Sequence, residues 1–203
     1  MHTCRQFLVA GLVNISMCLL LLSPAMAFLG TQLADAQKQD FFSFFHLLEA
    51  GRTEGKDGTK IVTFKPLHSP KFKDLATVNT TIDRDGKILA INLSLSRSFI
   101  DDRVNGMFAR DIAGSFISGI ATEADVRALQ NLINEIKFPK NTGDTLVLTG
   151  SPPPKVPAEP TDGYSTYLGK RKNFEVSLSA STLRMENRNE GGSDILSIAA
   201  SPK

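Results

Sequence analysis

The stretch RSFIDDRVNGMFARD, residues 97–111, sets three Asp and three Arg side chains between apolar anchors. Asp101 and Asp102 are the chain's candidates for catalysis. General acid–base chemistry needs two carboxylates with separated pKa values, and burial beside an apolar helix would separate them. Arg97, Asp102 and Arg110 could instead form a charged binding surface. A plainer arrangement uses the same residues. Asp101 or Asp102 caps a helix and complements its dipole, while Arg110 and Asp111 lie on the solvent face. Nothing else in the chain completes a catalytic set, so trimming a helix end is the expected role.

Other chemistries find less support. His46 and His68 have no Asp or Glu at ligand spacing, so no metal is expected. In TIDRDGKILAIN, Asp83, Asp85 and Gly86 fit positions three, five and six of a calcium loop. Thr81 and Asn92 occupy positions one and twelve, where carboxylates are required. GSFISG has Phe116 where a serine elbow needs its first glycine. No glycine-rich phosphate cradle occurs, and no cofactor is expected. GKRKN, residues 169–173, clusters three cations in a stretch that reads as a solvated turn.

The segment ahead of this chemistry reads as a leader. Arg5 precedes an apolar run from Phe7 to Leu22, and Ala25 and Ala27 stand three and one before a cut after Ala27. Residues 1–27 are therefore expected to be a cleaved signal peptide, with no stable membrane insertion afterwards. Both cysteines, Cys4 and Cys18, leave with it, so the remainder has no disulfide and no thiol nucleophile. Without Arg5 the balance is 22 basic to 21 acidic residues, which favours neither nucleic acid nor an anionic membrane. A periplasmic or secreted location is expected. In a eukaryotic secretory route, Asn79 and Asn92 would stand in glycan acceptor motifs.

Periodicity supplies the elements. Residues 28–40 are expected to form a flexible arm. DFFSFFHLLEAG puts Phe41, Phe45 and Leu48 on one helical face, which must be covered by the domain, a partner or an acyl chain. GRTEGKDGT reads as a loop and KIVTFKPL as a strand. LATVNTTIDRDGKILAINLSLS reads as a hairpin with Asp85-Gly86 at a two-residue turn. Its register pairs Ile82 with Leu89, Thr80 with Ile91, Val78 with Leu93 and Ala76 with Leu95. Phe108, Ile112, Phe116 and Ile120 mark a helix. Thr122 and Asp125 open a second one, with a stripe of Val126, Leu129, Leu132, Ile133 and Ile136. DTLVLTG is a strand, SPPPKVPAEP a Pro-rich connection at 151–160, and the tail from Tyr164 a strand meander with apolar phases at Leu183 and Met185 and then at Leu196, Ile198 and Ala200.

These elements predict one α+β domain over 41–203, a mainly antiparallel β-sheet covered on one face by two or three helices. The expected function is binding, as an envelope accessory factor, inhibitor or complex subunit with a protein partner. Arg97, Asp102, Arg110, Phe41 and Phe45 are the binding candidates. The alternatives are a hydrolase built on Asp101 and Asp102, or a carrier of an apolar ligand with the Phe-rich helix as lid.

Overall fold

Alternating apolar and polar residues settle the centre of the fold. In the computed structural model, which describes residues 27–122, 124, 125, 129 and 173–203, the segments Ala76–Ile82 (β3) and Ile88–Ser96 (β4) pair antiparallel. Ala76 faces Leu95, Val78 faces Leu93 and Thr80 faces Ile91, as the patterning requires. The turn differs from the expected one. Asp83 Oδ1 accepts the N–H groups of Asp85 and Lys87, and Gly86 alone takes a positive φ, of 84°. This longer loop would throw the strands out of register. A bulge beside Ile82 absorbs the extra residue, pairs Ile82 with Ile88 and turns Leu89 outward.

Seven strands form one open antiparallel sheet in the order β1-β2-β3-β4-β7-β6-β5, giving an α+β fold. The others are Leu48–Glu54 (β1), Lys60–Lys65 (β2), Phe174–Ser177 (β5), Ser181–Glu190 (β6) and Ser193–Pro202 (β7). A row of buried side chains crosses from Phe64 through Val78, Leu93 and Ile198 to Met185. The C-terminal strands keep the expected phases: Leu183 and Met185 on β6, then Leu196, Ile198 and Ala200 on β7, are buried. The polar segment expected as a loop is shorter than GRTEGKDGT, because residues 51–54 extend β1 along β2.

Among the described residues, the helices Leu33–Ala36 (α1), Asp40–Phe44 (α2), Arg97–Ile100 (α3) and Gly106–Ile120 (α4) pack against this sheet. Only α4, at 15 residues, is long; it buries Ala109, Ile112, Ala113, Phe116, Ile117 and Ile120. The Phe-rich helix stops at Phe44, sooner than expected. His46 takes a positive φ of 49°, which ends helical geometry and sends Leu48 into β1. Phe28, Phe41, Phe42 and Phe116 then form one aromatic knot, with ring centroids 5.2–6.1 Å apart.

Residues 28–40, expected as a flexible arm, are tied into the domain. Gly30 N–H donates to Ile88 O, Ile88 N–H to Thr31 O and Leu33 N–H to Gly86 O. Phe28, Leu33 and Ala36 supply the apolar reason, since all three are buried. The leader, the Pro-rich connection, the 144–150 strand, the GKRKN cluster and most of the helix expected after Thr122 lie outside the described residues. Among the described residues, no helix is long and apolar enough to cross a membrane.

Candidate functional site

The charged stretch at 97–111 is held by α3, a tight turn and the first turn of α4. Arg97 opens α3 with its side chain only 4% exposed, and its Nη2 donates to Asp101 Oδ1 at 2.6 Å. That i, i+4 pair commits Asp101 to neutralising a buried guanidinium. Asp102 points the other way, to solvent. Its Oδ1 accepts from Val104 N–H at 2.9 Å, Asn105 N–H at 2.6 Å and Asn105 Nδ2 at 2.7 Å. The Asn105 backbone N–H above all holds this carboxyl below its ordinary pKa, against a desolvation cost. Val104 N–H, the Asn105 amide and the charge of Lys71 add to the effect. A carboxylate stabilised in this way is an ionised cap, unsuited to delivering a proton near neutral pH. Arg110 is half-buried, and its Nε donates to Gly106 O at 3.0 Å, securing the start of α4. Asp111 and Arg103 are exposed.

Thus the structure joins Arg97 to Asp101 and gives Asp102 and Arg110 separate duties at the α4 start. Of the two expected caps, Asp101 and Asp102, it is Asp102 that accepts backbone N–H groups, one turn early: Asn105 occupies the N-cap position with no capping bond from its side chain, and Gly106 N–H donates to Asp102 O.

Phe41 and Phe45, the apolar candidates, have their rings in the core. Their neighbour Phe44 is turned outward and is 71% exposed. Leu48 and Leu67 are exposed close by. Leu48 pairs with Lys65, whose carbonyl accepts Leu67 N–H, and the rings of His46 and His68 meet edge-on at 6.3 Å. His46, Leu48, Leu67 and His68 are therefore neighbours on the surface where β1 begins, and exposed Phe44, two residues before His46, sets its ring edge-on against Phe45. Sequence reading missed this neighbourhood because Leu67 and His68 follow a strand end and carry no periodicity of their own. Among the described residues, no group of three His, Cys, Asp or Glu is arranged to hold a metal ion.

A second missed constellation surrounds Asp125. Its Oδ2 accepts from Thr122 Oγ1 at 2.6 Å, Ser179 Oγ at 2.8 Å and Thr122 N–H at 3.3 Å, and its Oδ1 from Ser179 N–H at 2.8 Å. Burial alone would raise this carboxyl. The hydrogen bonds from Thr122 and Ser179 outweigh it, so the pKa lies below the ordinary value. The bond from Thr122 N–H is the return half of the expected capping box. Ser179, far along the chain at the β5–β6 turn, had no signal linking it to Asp125.

The sheet face opposite the buried rows carries Thr, Asn and Ser. Thr63 Oγ1 donates to Asn79 Oδ1 at 2.9 Å, Ser197 Oγ to Asn92 Oδ1 at 2.7 Å and Asn92 Nδ2 to Ser94 Oγ at 3.1 Å. A shallow hollow of about 310 Å³ lies over Ile61, Asn79, Thr81, Ala90, Asn92 and Ser201. Both acceptor-motif asparagines sit mid-strand with their amides engaged. A glycan on Asn92 would replace one hydrogen of the Nδ2 that donates to Ser94 Oγ.

Comparison of the chain with protein-family models, with curated proteins and with solved structures finds no match. The functional reading therefore rests on the arrangement of side chains alone.

Proposed function

We propose that this is an exported protein, periplasmic or secreted, that works by binding a protein partner in the cell envelope, as accessory factor, inhibitor or complex subunit. The observation that carries the reading is the exposure of Phe44, Leu48 and Leu67 on the two segments that bring His46 and His68 together. Large apolar side chains grouped on a surface, with polar residues around them, are the usual mark of a contact site. Their setting favours side-chain contacts over strand addition. Edge strand β1 is protected by a bulge at Glu49–Gly51 and by the Glu49–Arg52 ion pair, both obstacles to another strand. The finer architecture belongs to the same reading: the helices cover one face of the sheet and leave the Thr/Asn/Ser face open.

The alternatives draw less support. A hydrolase at 97–111 would have to use carboxylates already committed to Arg97 and to the Asp102 turn. A carrier lidded by the Phe-rich helix would have to lift Phe41 and Phe42 out of the aromatic knot and Phe45 out of the core. The test is affinity capture from envelope extract with the wild-type chain and a Phe44→Asp/Leu67→Asp variant. One stoichiometric protein retained by the wild type and lost by an equally stable variant supports the reading. Equal retention by both removes this surface from it.

A further inference from the structure

Phe28 is the first residue after the expected cut, and every part of it is seated. Its side chain is fully buried among Phe41, Phe42 and Phe116. Its carbonyl accepts Thr31 Oγ1 at 2.7 Å and Thr31 N–H at 3.3 Å. Its nitrogen donates to Gly119 O at 2.9 Å. Gly119 lies in the last turn of α4, where carbonyls have no partner within the helix and the helix dipole is negative. A Cβ at this position would overlap the Phe28 ring, so a glycine is required for the seat to exist. Ala27, by contrast, is only half-buried, so its removal opens the nitrogen to water on one side.

We propose that Phe28 is the N-terminal residue of the working protein and that its α-ammonium, created by cleavage after Ala27, caps the carboxyl end of α4. In the precursor this nitrogen is an amide with a single N–H. Hydrolysis by a leader peptidase breaks the Ala27–Phe28 C–N bond. Water supplies the oxygen of the new Ala27 carboxylate, and both of its protons go to the Phe28 nitrogen, which becomes an ammonium at neutral pH. One ammonium proton keeps the bond to Gly119 O, the others face water, and a positive charge now stands against the negative end of α4. The geometry also orders events: the scissile bond lies against the folded body once Phe28 is seated, so cleavage precedes seating.

The inference rests on the export part of the proposed function, and its tests separate the two. Mass spectrometry of the protein recovered from a secreting host should find Phe28 first; any other first residue overturns the proposal. Three forms are then melted side by side: one beginning at Phe28, one at Ala27, and one at Phe28 with an acetylated amine. The free-amine Phe28 form should melt about 2–4 °C above both others. Equal melting temperatures overturn the cap and leave the Phe44 surface untouched. A carbon-13 label on the Gly119 carbonyl should shift on acetylation of the native sequence, and an unmoved resonance overturns the cap as well.

Discussion

Replacing Asp125 by Asn tests whether its carboxylate fastens the α4 exit to the β5–β6 turn. The side chain keeps its size, and one oxygen can still accept Ser179 N–H. The other oxygen becomes an NH2 that meets the Thr122 N–H, a donor that cannot turn away. The hydroxyls of Thr122 and Ser179 can rotate, but they exchange a charged acceptor for a neutral partner. Hydrogen bonds to a charged group are worth about 1.5–3 kcal/mol, and a stranded buried donor costs about 1–3 kcal/mol. Allowing for relaxation, the expected loss is about 2–3 kcal/mol at pH 7, read as a lower urea midpoint with unchanged slope. The folded-state pKa of Asp125 is depressed. Its stabilisation is therefore complete above the unfolded value of about 3.9 and fades as pH falls through the folded value. The gap between wild type and variant should narrow in that acid window. A loss under about 0.5 kcal/mol at pH 7, the range of an ordinary surface change, would refute the fastening.

Asp101→Asn should cost about 1–3 kcal/mol in urea unfolding, because it replaces the charged acceptor of the buried Arg97 Nη2 bond by a neutral one. Asp102→Ala should lower the melting temperature and Asp102→Asn should restore much of it, since one side-chain oxygen suffices for the Val104 and Asn105 N–H groups; failure of Asn to rescue would count against capping. Phe116→Ala, in the middle of the aromatic knot, should cost about 3–5 kcal/mol. Thr80→Val should stabilise by about 1 kcal/mol, because the buried Thr80 hydroxyl has no hydrogen-bond partner among the described residues; a destabilised variant would point to a partner for that oxygen.

Elements governed by local alternation were legible before the structure. The β3–β4 register, the buried phases of β6 and β7 and the apolar stripe of α4 all follow from side-chain periods of two or about 3.6 residues. The sequence reading failed where one residue's backbone decided the outcome. His46 in a left-handed conformation cut the Phe helix short, and Asp83 with Gly86 built a longer turn whose extra residue a bulge then absorbed. At the charged stretch, a carboxylate ahead of α4 suggested a cap and Asp102 accepts backbone N–H groups there, but Arg97 was not recognised as buried, because α3 is a single turn too short to show a period. The Asp125–Ser179 bonds and the Leu48–Leu67 neighbourhood join residues distant in sequence. No local pattern reports such contacts.

The strand order has a consequence for how the molecule comes together. β1 to β4 form one ribbon of neighbours in sequence, and β5 to β7 form another. Among the described residues, the β4–β7 ladder, Ile91 with Ala200 through Ser96 with Ile195, is the seam that sews them into one sheet. It joins segments about a hundred residues apart, so closing it carries the largest loop entropy in the described fold and should limit the folding rate. Trimming away β7 would therefore do more than remove a strand: it would leave β6 without its inner neighbour, leave β4 as a bare edge, and divide one sheet into two.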